Sequence, residues 1–178
     1  FEIVTGAAFH YFAEQNIDIL ILEVGLGGKY DATNIIPSPL LSLIMSISFD
    51  HTDFLGDSIE KIAEEKAGII KKNCPVVLYS QDEIVYNIMW TKSKELQAPF
   101  YCSENAELTV SSQTLEGTVF SVKTDRIALN DVYLPLLGSY QINNCVTVLE
   151  ACSVLSERGL NISEKNIRDG LKNAFWAG

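Results

Sequence analysis

Two apolar runs each end abruptly on a polar cluster, and this pairing constrains the chain more than any other feature. Ile17 to Leu22 is β-branched and nearly all apolar, and it stops at Glu23. Leu40 to Phe49 is the second run, and it stops at Asp50-His51. Runs that are greasy on both faces suit strands covered on both sides, as in a parallel sheet. In open α/β sheets, ligands gather at the C-terminal ends of the strands. The clusters EVGLGGKYDATN (Glu23 to Asn34) and FDHTDFLGDS (Phe49 to Ser58) are therefore where chemistry is expected.

The rest of the chain keeps a strand–helix–strand rhythm. Residues 5 to 15 read as a helix with Ala7, Ala8, Phe9, Phe12 and Ala13 on its apolar face. Asp57 or Ser58 can cap a helix reaching about Lys71, before Pro75. Val76 to Tyr79 reads as a short strand and Glu83 to Leu96 as a helix. Then the pattern changes. Glu107 to Val110, Thr118 to Lys123 and Val132 to Leu134 are short alternating segments, expected as an antiparallel flap. Gln141 to Glu157 returns to helix, ended by Gly159, and Ser163 caps a last helix to Leu171. The expected class is α/β: a mostly parallel sheet flanked by helices, with a short antiparallel flap and no internal domain boundary.

Composition excludes several function classes. Of 178 residues, 47% are hydrophobic and 20% charged, which is globular rather than disordered. The net charge of −10 leaves no basic footprint for nucleic acid. No run approaches the ~20 apolar residues of a membrane-spanning helix, and no leader pattern is visible. None of Cys74, Cys102, Cys145 and Cys152 forms a C-x-x-C pair, so reduced core thiols are expected, as suits the cytoplasm. The start at Phe1 and the stop at Gly178, just after Trp176, give both ends the look of cuts within a longer chain.

Each polar candidate has a plain reading beside a functional one. Glu23 either satisfies local backbone donors or offers a hard oxygen to Mg²⁺. Gly25, Gly27 and Gly28 suit a tight turn with close backbone approach; they lack the Lys-Ser/Thr of a P-loop. His51 is either structural or a metal ligand. Lys66 sits among Glu60, Glu64 and Glu65, as on a solvated helix face, but Ala67-Gly68-Ile69-Ile70 buries one side of its turn. A lysine that loses its proton there becomes open to chemical modification.

Order and spacing are more specific than any single residue. EVGLGGKYDATN, SFDHTDFLGDSIEKIAEEKAGIIK and LLGSYQINNCVTVLEA, in this order, resemble the folylpolyglutamate synthase/dihydrofolate synthase family of the Mur ligase superfamily. FEIVTGAAFHYF and GLKNAFWAG resemble that family's stretches before the Glu strand and before an ATP-contacting arginine. The resemblance implies an ATP- and Mg²⁺-dependent ligase that joins L-glutamate to a folate or dihydropteroate carboxylate through an acyl phosphate. By position it makes Glu23 and His51 the magnesium ligands and Lys66 the lysine that becomes N-carboxylated, with Lys66 and His51 the catalytic residues. Asn144 and Gln141 match the ATP contacts, and Phe1, Glu2, Tyr30 and Asp31 fall on the pterin-binding stretches.

The same resemblance implies a central-domain piece spanning residues 1–178. The P-loop would precede Phe1, and an ATP-contacting arginine and a C-terminal glutamate-ligase domain would follow Gly178. Such a piece alone is expected to be inactive. The full-length enzyme is expected to be monomeric and cytoplasmic, with no nucleic-acid or membrane partner. Tyr140 stands where many members carry histidine. The alternatives are another Mur-type amino-acid ligase, and a non-catalytic binding module that lost its nucleotide site.

Overall fold

A computed structural model describes residues 1–49 and 57–176. Strands β1 (Ser42–Ile44), β2 (Val76–Leu78) and β3 (Phe100–Cys102) form a parallel sheet in that order. Ser42 lies opposite Val76, and Val76 opposite Phe100. Parallel neighbours need long crossovers. Here these contain helix α2 (Ile59–Ala67) and helix α3 (Glu83–Glu95). Both helices cover one face of the sheet, where Ile44, Val76 and Leu78 pack with Ala63, Ala67, Val85 and Met89.

Local chemistry explains these helices. The Ser58 hydroxyl accepts from the Lys61 amide and starts α2, while Asp57 pairs with the Lys61 ammonium at 2.7 Å. Ile62, Ala63 and Ala67 then face the core at helical spacing. In α3 the buried residues are Val85, Met89 and Ser93, one per turn. The Ser93 hydroxyl is satisfied by the Met89 carbonyl at 2.7 Å.

The expected flap is a full antiparallel sheet of strands β4 (Glu107–Thr114), β5 (Gly117–Lys123) and β6 (Ala128–Leu134). It has its own core around Phe120, Val122, Leu129, Val132 and Leu134. Helix α4 (Ser139–Glu157) lies between the two sheets. Its Ile142, Cys145, Val146 and Leu149 join the antiparallel core. Its Ala151 and Val154 pack on Val77 and on Leu41, Leu43 and Tyr101, the uncovered face of the parallel sheet. A helix apolar on two sides is what such a position requires.

The C-terminal signals behave as local chemistry dictates. Helix α4 ends in a Schellman turn: Gly159 has φ 102°, its amide reaches the Ser156 carbonyl, and the Leu160 amide reaches the Leu155 carbonyl. Helix α5 (Glu164–Lys172) opens with a capping box between Ser163 and Asn166. Its Arg168 guanidinium donates to the carbonyls of Asn130 and Asp131, which fixes α5 against β6.

Two expectations are corrected. Ile17 to Leu22 forms no ladder with any described strand, and Ile17, Ile19 and Ile21 are exposed while Leu20 and Leu22 are half-buried. The alternation fits an extended segment, but a strand exists only where a neighbour completes its hydrogen bonds. Pairing in the Leu40 to Phe49 run is confined to Ser42–Ile44, because β2 has only three residues to offer. Strand β3 has no counterpart among the expected elements, since three residues after Pro99 carry no periodic signal. Helix α1 (Glu2–Glu14) starts three residues before the expected helix of residues 5 to 15 and ends one residue before it, and none of its residues is fully buried. Among the described residues no helix is long and apolar enough to cross a membrane.

One charged group sits deep between the sheets. Glu150 of α4 is only 4% exposed. It meets Arg126 at 3.3 Å and the Thr124 hydroxyl at 3.4 Å. The Arg126 guanidinium also lies 4.5 Å from the centre of the Tyr101 ring, tying the β5–β6 turn to β3. Burial pushes the Glu150 carboxyl above its ordinary value, Arg126 and Thr124 oppose that, and Glu157 and Asp125 add to it. A carboxyl raised in the folded state stabilises most where it is protonated, and that contribution fades as pH rises above its unfolded value. Arg126→Met leaves the carboxylate without its cation, a loss of about 3–5 kcal/mol for a fully buried pair and less here, where Arg126 keeps partial exposure. Urea unfolding at pH 4 and pH 7 checks this. The gap between wild type and Arg126→Met should be wider at pH 7; an equal gap contradicts the role given to Glu150.

Candidate active site

Glu23 is solvent-exposed and opens the glycine loop. Behind it Gly27 and Gly28 are buried, which is possible because they bring backbone alone into the contact. The Lys29 amide donates to the Glu65 carbonyl of α2 at 2.9 Å. The loop then closes in a 3₁₀ turn, Ala32–Ile35, and the Asn34 carboxamide donates to the Gly68 carbonyl at 3.0 Å and the Lys29 carbonyl at 3.2 Å. The Lys71 ammonium reaches the Asn34 main-chain carbonyl at 3.2 Å. Two motifs more than thirty residues apart thus form one unit, with half-buried Lys66 on the turn the loop rests against.

Asp31 organises the loop from inside. One carboxylate oxygen accepts from the amides of Gly25 (3.0 Å) and Leu26 (3.1 Å). The other accepts from the Thr33 amide at 2.8 Å and from the Thr33 hydroxyl. Burial alone would raise its pKa, but the bonds from Thr33, Leu26 and Gly25 outweigh burial and hold the carboxyl below its ordinary value. The Phe1 ring packs on Gly25 so closely that an added Cβ would lie 3.0 Å from it. Tyr30 is 81% exposed, with the Lys29 ammonium 5.0 Å from its ring centre. Glu2 is exposed on the first turn of α1.

A second pair lies on the first turns of α4. The Asn144 carboxamide donates to the Gln141 side-chain oxygen at 3.2 Å, and both residues are half-buried. Among the described residues no hydrogen bond joins this pair to the glycine loop. His51 lies outside the described residues. Among the described residues no group of three or more His, Cys, Asp or Glu side chains could hold a metal ion. After β1 the Gln81 carboxamide accepts from the Ile47 amide at 2.8 Å and donates to the Met45 and Tyr79 carbonyls. The four cysteines are unpaired. Burial pushes the thiols of Cys102 and Cys145 up to about 12, which makes them packing groups rather than nucleophiles.

The Mur ligase middle-domain model matches residues 2–152. The chain belongs to this family. This Mur ligase middle domain is 38% identical over its whole length to the dihydrofolate synthase/folylpolyglutamate synthase of Bacillus subtilis strain 168, of which it covers 42%. A folylpolyglutamate synthase of Thermotoga maritima superposes with a TM-score of 0.84 at 38% identity, over 98% of this chain and 39% of that one. A folylpolyglutamate synthase complex with AMPPCP and folate superposes with a TM-score of 0.89 at 29% identity, over 97% and 42%. The chain thus spans less than half the length of these relatives.

The contacts that hold the Glu23–Asn34 segment to the Lys66 turn are not visible in the motifs themselves. Gly68, Asn34 and Gln81 carry the contacts between segments, and none was singled out. The available signal was the glycine in KAG, which reads as an ordinary helix stop. Asp31 also differs from a free ligand-binding carboxylate, because both of its oxygens are engaged by the loop. Asp31→Ala removes acceptors from three amides and should destabilise the protein by about 1–3 kcal/mol. A carboxyl held low in the folded state stabilises above its unfolded pKa, and that share is lost as pH falls through the folded value. The stability gap should therefore shrink in acid; a gap independent of pH in chemical unfolding contradicts this assignment.

Proposed function

We propose that the protein is an ATP-dependent ligase that joins L-glutamate to the carboxylate of a folate or dihydropteroate, and that this chain forms the central part of its ATP-binding domain. The observation that carries the reading is the locked contact between the Glu23–Asn34 loop and the Lys66 turn. It brings two of the three motif clusters into contact, on a backbone that superposes on a synthase complex with AMPPCP and folate, and this supports the reading.

The chemistry follows from leaving groups. A carboxylate resists amines because oxide cannot leave, whereas phosphate can. A substrate carboxylate oxygen takes the γ-phosphoryl group of ATP, and ADP departs. The amine of L-glutamate then attacks the acyl carbon, the C–O bond breaks, inorganic phosphate leaves, and the amine loses its proton to solvent. Phosphoryl transfer of this kind depends on positioning and on cations that neutralise developing charge.

The roles are assigned as follows. Exposed Glu23 offers a hard oxygen donor, which fits Mg²⁺, and His51 supplies the second protein ligand. When bound, Mg²⁺ would supply charge neutralisation at the phosphate oxygens. The neutral Lys66 amine adds to CO2 and releases a proton, so that an N–C bond forms and a cation is replaced by a carbamate anion beside that site. Asn144 and Gln141 contact ATP. Phe1, Glu2 and Tyr30 line the pterin side, and Asp31 shapes it by holding the loop. The nucleotide cradle is completed by a P-loop segment and a C-terminal glutamate-ligase domain outside these residues. Unpaired thiols suit the reducing cytoplasm, and the full-length enzyme is taken to act there as a monomer.

Phosphate release by the full-length protein tests the reading. It should require ATP, L-glutamate and either dihydropteroate or tetrahydrofolate, and UDP-muramyl substrates should not replace them. Lys66→Ala should lower turnover about a hundredfold or more, with partial rescue by a small carboxylate. Turnover by the 178-residue chain alone, or full activity of Lys66→Ala without additive, contradicts it.

A further inference from the structure

We propose that Gly68 and Asn34 are positioning residues for Lys66, forming a latch that sets where the lysine stands relative to the glycine loop. The proposal rests on the ligase reading for the work that Lys66 does.

Gly68 is a helix-end glycine without a conformational reason to be glycine. Its φ and ψ are −61° and −16°, which any residue adopts. In such a backbone glycine is less favourable than alanine by about 1 kcal/mol. Gly159 makes the contrast: it needs its positive φ, and a Cβ there would meet nothing within 4 Å. At Gly68 a Cβ would lie 2.5 Å from both Cα and Cβ of Lys29 and 2.9 Å from the Lys29 nitrogen. The constraint is steric, and the obstruction is largely backbone, which cannot rotate aside.

The fit is reciprocal. A Cβ on Gly28 would lie 2.7 Å from the Glu65 carbonyl oxygen and 3.1 Å from the Lys66 Cα. Two bare α-carbons therefore face the opposite strand of backbone, one from each side. This closeness brings the Lys29 amide to the Glu65 carbonyl at 2.9 Å. The last carbonyls of a helix have no partner within it. At the end of α2 the loop adds partners: the Lys29 amide joins the Gly68 amide on the Glu65 carbonyl, and the Asn34 carboxamide bonds the Gly68 carbonyl. Asn34 binds the Lys29 carbonyl as well, so one side chain grips both halves of the contact. Lys66 lies between the two gripped carbonyls, those of Glu65 and Gly68. Its four-carbon stem carries any tilt of the turn out to the reacting nitrogen, and a displacement of about 1 Å can change a rate by about a hundredfold.

The test compares Gly68→Ala, Asn34→Ala and a control, Gly170→Ala, in the full-length enzyme. Gly170 lies in α5, where a Cβ would meet nothing within 4 Å. The first readout is competitive amine labelling of Lys66 against Lys61, an exposed lysine on the same helix, resolved peptide by peptide by mass spectrometry. Global destabilisation moves both lysines together; a loosened latch changes their ratio. The second readout is kcat against KM for ATP. Gly68→Ala and Asn34→Ala should shift the labelling ratio several-fold and lower kcat about ten- to a hundredfold, with KM for ATP within about twofold. Gly170→Ala should do neither. Asn34→Ala removes only hydrogen bonds, so it keeps the test open if Gly68→Ala fails to fold. An unchanged labelling ratio, or an unchanged kcat, in Asn34→Ala overturns the proposal. Failure of the ligase reading shows separately, as no turnover in the unmutated enzyme, and the labelling ratio then decides alone whether the latch holds Lys66.

Discussion

Backbone meets backbone where Lys29 passes Gly68, and the candidate site depends on that contact. The loop after Glu23 packs little apolar bulk of its own; its buried members are Gly27 and Gly28. What fixes it is a set of hydrogen bonds, each worth about 1 kcal/mol net, made possible by the missing side chains. Asp31 shapes the loop from within, and Asn34 ties it to the helix. The helix end gains further donors, and the loop gains a rigid support. A glycine loop held this way presents Glu23 and Tyr30 to solvent on a defined frame.

That frame is only as firm as the sheet beneath α2, and helix α4 supplies the second layer. It buries Leu149 toward the antiparallel core and Val154 toward the parallel sheet, so the two sheets cannot separate without exposing it. Gln141 and Asn144 sit at the start of this same helix. The buried Glu150 with Arg126 adds direction rather than much net stability, as expected of ion pairs removed from water. The arrangement makes one helix answerable both for the core and for the proposed nucleotide contacts.

Legibility followed the range of the signal. The capping serine at 163, the Schellman glycine at 159 and the one-per-turn apolar residues of α3 depend on neighbours within a few residues, and each is visible in the sequence. Ile17 to Leu22 has a strand's composition, but a ladder needs a partner, and no local signal reports one. Strand β3 is invisible for the opposite reason: its pairing with β2 comes from backbone over three residues. In the site, the order of Glu23, Lys66 and Asn144 was legible as a resemblance. The latch was not, because Gly68 and Gly159 look alike as letters while one answers to a neighbour's backbone and the other to its own φ.

Hydrogen exchange at the Lys29 amide tests the central claim most directly. That amide sits in a glycine-rich loop and, if the loop were independent, would exchange as fast as an open chain. Bonded to the Glu65 carbonyl at 2.9 Å, it should exchange at least about a hundredfold more slowly than an open loop amide, with the protection of the α2 core. Exchange of Lys29 at open-loop rates, in a protein whose α2 amides remain protected, would show that loop and turn are not one unit.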